Sequence, residues 1–115
     1  MGFMSRTKDG TADNANALRF EDKAGAEQVW IQAERNMDTQ VKNDESHTIA
    51  NDHTHLVGGN QIKRVVLNQA TGVKGESSAL TGKTRSDAVV NAFTLGSGES
   101  LRLECGESVI ELLAN

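Results

Sequence analysis

Proline and tyrosine are absent from this 115-residue chain, and cysteine occurs once, at Cys105. Aromatic side chains are also scarce, with three phenylalanines and one tryptophan. A single cysteine excludes an intrachain disulfide and is typical of synthesis in a reducing compartment. Because burial of large apolar side chains is the main contribution opposing chain entropy, so few of them predict that one chain alone cannot build a complete core.

Clustered positive charge and long apolar runs are missing as well. The formal net charge is -4, and the lysines and arginines are scattered among acidic residues. Sequence-independent binding of nucleic acid needs grouped positive charge, so we expect no nucleic-acid partner. No stretch approaches the roughly 20 apolar residues of a membrane helix, and no apolar signal-peptide core is present.

The chain does contain a two-residue alternation of polarity from Val29 to Val57. This period is typical of an extended chain with one face buried and the other in water. The run is far longer than an ordinary strand of about 5–6 residues. Its apolar face is interrupted by Arg35, Asn43, Glu45 and Asn51. A long but thin apolar face predicts a fibrous all-β structure that is completed by further copies of the chain.

Turn signals and composition divide the rest of the sequence. Residues 1–17 are predicted to be a tag remnant followed by a polar linker, and residues 18–115 to be the folded part. Alternation and glycines predict a strand at Leu18–Glu21, a turn at Asp22–Gly25 and a bulge or corner at Gly106. No exact short repeat is apparent. The chain ends directly after a predicted strand, which indicates a fragment of a longer protein.

Several motifs resemble one known family. They are LRFEDK at residues 18–23, the segment from Gly25 to Asp38, Asn51-Asp52-His53, VGGN at residues 57–60 and the alternating segment from Ser100 to Leu112. Together they resemble the stem of VgrG proteins, the trimeric spikes of the type VI secretion system. The resemblance implies that three chains wrap about one axis into an intertwined homotrimeric β-helix or triangular β-prism, with almost no helix.

The resemblance also implies a function. The chain is expected to be a structural, membrane-puncturing needle, a rigid shaft that a contractile sheath drives to deliver effectors. It implies no enzyme activity, no catalytic residues and no cofactor. The expected partners are two further copies of the chain, a tip-capping protein, the tail-tube protein and, transiently, the target-cell membrane. Assembly is expected in the bacterial cytoplasm, followed by secretion through the type VI machine.

The inward face of the alternation supplies the predicted trimer core. Its members are Val29, Ile31, Ala33, Met37, Val41, His47, Ile49, His53, His55, Val57, Phe93, Leu95, Leu101, Leu103, Cys105, Ile110 and Leu112. His53 and His55 have the only metal-like spacing, and three chains would place six imidazoles about one axis. Packing around water or an anion is the favoured interpretation of these histidines, so no metal site is predicted.

Two other classes of function remain open on the sequence. One is a β-helical enzyme acting on polysaccharides, which requires a regular coil repeat and a cleft with converging groups, neither of which is visible. The other is a passive trimeric fibre or adhesin segment, whose physical requirements are the same as those of a shaft. A trimeric mass in solution, together with the absence of a cleft, would favour a shaft or fibre over the enzyme.

Overall fold

The computed structural model describes residues 1–115 and contains β-strands but no helix. The strands are β1 Gly2–Arg6, β2 Ala15–Glu21, β3 Gln28–Gln32, β4 Ser100–Cys105 and β5 Ser108–Leu113. They form a three-stranded antiparallel sheet, β1-β2-β3, and a two-stranded one, β4-β5. The all-β prediction is confirmed. The chain divides into two units, Met1–Gln61 and Ile62–Asn115. None of its segments is a helix long and apolar enough to cross a membrane.

In the first unit, the three-stranded sheet has one apolar face. Phe3 pairs with Leu18, and Leu18 in turn pairs with Ile31. In the next row Phe20 pairs with Val29. Directly paired residues point to the same face of a sheet, as do residues two apart along a strand. All five side chains therefore lie on one face, named here the apolar sheet face.

Residues 1–17 differ from their predicted structure. Residues 2–6 form β1, and Ala15 begins β2 rather than lying in a linker. Between these strands the chain reverses in a turn where Asp9 has φ 63° and the Thr7 N–H donates to the Asn14 carbonyl over 2.9 Å. The polar loop between the two strands is therefore limited to residues 7–14. The proposed domain boundary after residue 17 cuts through β2.

The turn predicted at Asp22–Gly25 is present, and Gly25 has φ 84°. The Glu27 carboxylate accepts a hydrogen bond from the Gly25 N–H over 2.9 Å. The pKa of Glu27 is lowered because backbone N–H groups, its own first and then that of Gly25, stabilise the charged carboxylate. The strand predicted at Leu18–Glu21 is confirmed as the second half of β2.

The long alternating run is not a single paired strand. Only Gln28–Gln32 belongs to a ladder, and residues 33–99 form no strand pairs within the chain. This segment instead bends at regular intervals, at residues 34–35, 42–43, 50–51, 58–59, 66–67, 74–75, 82–83, 90–91 and 98–99. The spacing is eight residues throughout. The backbone therefore has a regular eight-residue repeat, which the prediction of one long alternating run did not include.

The second unit ends in a hairpin of β4 and β5. Its turn contains Gly106 at φ 59°, a left-handed conformation that glycine adopts without strain. Gly106 therefore lies in a hairpin turn and not in the bulge or corner that the sequence pattern predicted. Leu101 pairs with Leu112 and Leu103 with Ile110, so the predicted sharing of one face is confirmed across the turn.

One chain buries very little of itself. Its accessible surface is 12472 Å², whereas a compact monomer of this mass has about 6,000 Å². Ala15, at 5% exposure, is the only buried apolar residue, and no side chain is fully buried. Because the strands and bends are regular and the side chains uncovered, the apolar surface is available to other chains.

Candidate functional site: the octad face

The bends divide residues 34–97 into eight consecutive units of eight residues, named here octads. The first octad runs from Glu34 to Val41 and the last from Val90 to Ser97. The two bend residues occupy positions 1 and 2, and the remaining six residues are extended. An extended segment of six residues measures about 20 Å at ~3.3 Å per residue.

Position 8 is aliphatic in six octads. Its residues there are Val41, Ile49, Val57, Val65, Val73 and Val89. Their side chains are 45–55% exposed in the single chain. The large apolar side chains at positions 1, 2, 5 and 7 are instead 88–100% exposed, and they are Leu56, Ile62, Val66, Leu67, Leu80 and Val90. A side chain on the inside of a bend is shielded by its own backbone, so position 8 faces inward.

Positions 4 and 6 lie two residues apart on the same side as position 8. Where they are large and apolar, their side chains are 57–63% exposed, as for Met37, Phe93 and Leu95. Positions 4, 6 and 8 are named here the octad face. Residues at position 2 also have odd residue numbers, but they lie at the bend. This is why Arg35, Asn43 and Asn51 interrupt the alternation in the sequence.

Polar side chains on the octad face pair with each other inside the chain. His47 Nε2 contacts Glu45 Oε1, and Arg85 Nε donates to Asp87 Oδ2 over 3.1 Å. Both pairs join positions 4 and 6 of one octad. Glu45, which interrupts the apolar face of the sequence alternation, thus has a partner two residues away in its own chain. An isolated charge brought into an interface costs several kcal/mol, and these pairs reduce that cost.

The residues predicted as trimer core fall into three groups. Val29 and Ile31 lie on the apolar sheet face, with Ala33 following them directly before the first bend, and the residues from Met37 to Leu95 occupy positions 4, 6 or 8. Leu101, Leu103, Cys105, Ile110 and Leu112 lie on one face of the terminal hairpin. Their burial between chains remains a prediction. Three of the aliphatic residues at position 8, Val65, Val73 and Val89, were missed, although they follow Val57 at multiples of eight residues, which was a usable signal.

No group of three or more metal-ligating side chains occurs within the chain. His53 and His55 occupy positions 4 and 6 of the third octad, so an axial site would require three copies. That these histidines pack around water or an anion in the trimer, and hold no metal, therefore stays a prediction.

A network of hydrogen bonds joins the first octad to the N-terminal sheet. The Glu34 carboxylate accepts from Asn14 Nδ2 over 2.6 Å and from the Ala15 N–H over 3.1 Å. The Glu34 N–H donates to Asn16 Oδ1 over 2.7 Å. Gln32 adds a bond from Nε2 to the Ala15 carbonyl over 3.1 Å. Gln32 and Glu34 belong to the face of the alternation that was predicted to lie in water, and both side chains form hydrogen bonds within the chain.

Comparison with known proteins agrees with this arrangement. The family model of the bacteriophage T4 gp5 C-terminal trimerisation domain matches residues 1–112. The chain is 40% identical over 115 residues to the type VI secretion system spike protein VgrG1a of Pseudomonas aeruginosa, a match that covers 99% of this chain and 18% of that protein.

Two further relatives match shorter parts. VgrG1c of the same organism is 53% identical over 57 residues, or 49% of this chain and 8% of that protein. The actin cross-linking toxin VgrG1 of Vibrio cholerae is 30% identical over 80 residues, or 70% of this chain and 7% of that protein. The chain thus spans less than a fifth of the length of these relatives. The resemblance to type VI secretion spikes is confirmed, and the chain belongs to the bacteriophage T4 gp5 C-terminal trimerisation domain family.

Proposed function

We propose that this chain is the trimeric shaft of a type VI secretion spike, a rigid element that a contractile sheath drives through a target membrane to deliver effectors. The observation that carries the proposal is the octad face. It presents an aliphatic side chain at position 8 in six of eight octads, and the chain offers nothing of its own to cover it. Two further copies would supply the cover.

The absence of intrachain strand pairs over residues 33–99 supports the same proposal. Extended segments need partners for their backbone N–H and C=O groups, and in one chain these groups are left to solvent. Three intertwined chains would pair them and leave no free edge along the shaft. Unfolding one chain would then require unwinding all three, which is the physical source of stiffness.

The shaft needs no chemistry of its own, so we propose that it is not an enzyme. The energy for penetration comes from the sheath. The cross-linking activity in the name of the Vibrio cholerae relative is not transferred, because this chain covers only 7% of that protein. The remaining expectations are proposals of the same kind: binding to a tip-capping protein and a tail-tube protein, assembly in the bacterial cytoplasm and export by the type VI machine.

The direct test is the mass of the chain in solution by light scattering, combined with its cross-section by small-angle scattering. A trimer with a narrow, constant cross-section is expected. A stable compact monomer at micromolar concentration would overturn the proposal. A passive fibre segment would pass this test, so a second experiment separates the two.

The second experiment uses a full-length spike protein that carries this segment, in a bacterium with an active type VI system. A Val65→Asp change on the octad face is expected to stop secretion of the spike into the medium, whereas Val66→Asp at the following bend is expected to leave it unchanged. Normal secretion and effector delivery with a dissociated shaft would remove the mechanical role.

A further inference from the structure

We propose that Lys63 forms a binding site inside the shaft for a tetrahedral oxyanion, the class of phosphate and sulfate. Each of three copies of the chain would contribute one ammonium group to this site. The inference rests on the trimeric shaft proposed above, because the site is incomplete in a single chain. It concerns what the interior of the shaft holds and not whether the shaft forms.

Charged side chains are few on the octad face, and all but one have a partner within the chain. Glu45 contacts His47, and Arg85 donates to Asp87. Lys63, at position 6 of the fourth octad, takes part in no ion pair. It is therefore the one charge on this face that the chain itself does not compensate.

Another copy of the chain has no carboxylate to offer to Lys63. Between Glu45, two octads before, and Asp87, three octads after, positions 4, 6 and 8 contain no acidic residue. The acids in this interval, Asp52 and Glu76, occupy position 3, which points to the opposite side of an extended chain from position 4. Three chains related by a threefold axis would therefore bring Lys63 together with its own copies.

Three enclosed ammonium groups repel each other and lose their hydration. Charges are stable in a protein interior only when they are paired with opposite charge and hydrogen-bonded. Neither the same chain nor another copy supplies that opposite charge near Lys63. An anion from solution is the remaining source of it.

The symmetry and the donors of this site fit a tetrahedral oxyanion. Such an anion has a threefold axis, so three of its oxygens can each accept a charge-assisted hydrogen bond from one Lys63 ammonium group. It also carries more than one negative charge at neutral pH, whereas chloride would compensate only one of the three cations. In the next octad, Gln69 and Thr71 at positions 4 and 6 place neutral donors on the same face.

The first experiment counts bound phosphate. The chain is refolded from denaturant in inorganic phosphate, freed of unbound ions by gel filtration and analysed chemically. About one phosphate per three chains is expected for the wild type, because one axis passes through one ring of Lys63. Lys63→Met and Lys63→Gln are expected to form trimers without phosphate, since the substitutions remove the repulsion. Lys74→Met, at a bend, is the matched control and should retain the phosphate.

The second experiment detects an anion that is lost during gel filtration. Trimer dissociation in urea is followed on dilution, in chloride and in sulfate at equal ionic strength. Sulfate also stabilises folded proteins by its exclusion from their surface, and Lys63→Met measures that general effect. Beyond it, sulfate is expected to lower the half-dissociation concentration of the wild type at least about tenfold, because it binds the assembled state alone.

The outcomes separate this inference from the proposed function. Equal phosphate in wild type and Lys63→Met would mean an adventitious ion only. A wild-type trimer without phosphate, and with no more response to sulfate than Lys63→Met, would show that Lys63 is neutral or exposed. Loss of phosphate in a His53→Ala/His55→Ala variant but not in Lys63→Met would assign the anion to the histidines. Each of these results overturns the Lys63 site and leaves the shaft intact, whereas a monomeric wild type removes both.

Discussion

Val65 and Val66 are adjacent and chemically identical, yet Val65 is 45% exposed and Val66 is 90% exposed. Val65 occupies position 8 of its octad and Val66 position 1 of the next, where the chain bends. The difference therefore comes from the backbone path and not from the side chain. The pair offers a matched comparison of the octad face with the outer surface.

Val65→Asp is expected to prevent trimer formation, since three carboxylates would lose water without gaining partners, at a cost of several kcal/mol each. Val66→Asp should be nearly silent. Light-scattering mass at micromolar concentration measures both. Equal behaviour of the two variants would mean that position 8 does not face the interface.

Glu34→Ala is expected to destabilise the N-terminal sheet by about 1–2 kcal/mol, because the part-buried Ala15 N–H and the Asn14 amide lose their acceptor. Lys42→Ala, at the same bend position one octad later, serves as the control. Hydrogen exchange of the Ala15 amide is the measurement. Similar protection in both variants would show that the carboxylate does not hold the sheet to the first octad.

Gly106→Ala is expected to destabilise the terminal hairpin by about 1–2 kcal/mol. A methyl group there meets no atom within 4 Å, so the cost arises from the left-handed backbone alone. Gly98→Ala is the matched control, since Gly98 is equally open and has no positive φ. Hydrogen exchange across the β4–β5 ladder should rise only in the first variant.

The turn at Gly25 is expected to loosen in acid. The pKa of Glu27 is lowered in the folded chain, so its carboxylate stabilises the turn above the pKa of the unfolded chain, and this contribution disappears as the pH falls through the lowered value. Amide exchange at Gly25, followed from neutral to acid pH, reports the change. Glu27→Gln should abolish the pH dependence of the protection of this amide relative to its intrinsic exchange rate, and a Glu27 carboxyl that titrates at or above 4.5 would contradict the assignment.

His53 and His55 are expected to face the trimer axis around water or an anion, without holding a metal. Elemental analysis of the wild-type trimer is the measurement, and a His53→Ala/His55→Ala variant is its control. About one transition metal per wild-type trimer that the variant lacks would contradict the expectation.

The sequence alone was sufficient for the class of structure. Alternation from Val29 to Val57 carried the all-β prediction because side chains of an extended chain alternate whatever the strand pairs with. The scarcity of aromatic residues carried the prediction of oligomer formation, and the accessible surface of 12472 Å² agrees with it. The motifs from Leu18 to Asp38 contributed to the prediction of the family.

The eight-residue period was decided by the tertiary structure. In the sequence, Asn43 and Asn51 look like polar interruptions of an apolar face, because the alternation of polarity does not show where the backbone bends. The backbone bends at these residues, and in each octad the bend directly follows a position 8. The structure of residues 2–6 was likewise decided by the fold: nothing in the sequence shows which strand they join, and pairing with Leu18 places Phe3 on the apolar sheet face. Strand pairing depends on residues distant in sequence, and local polarity carries no information about which segments meet.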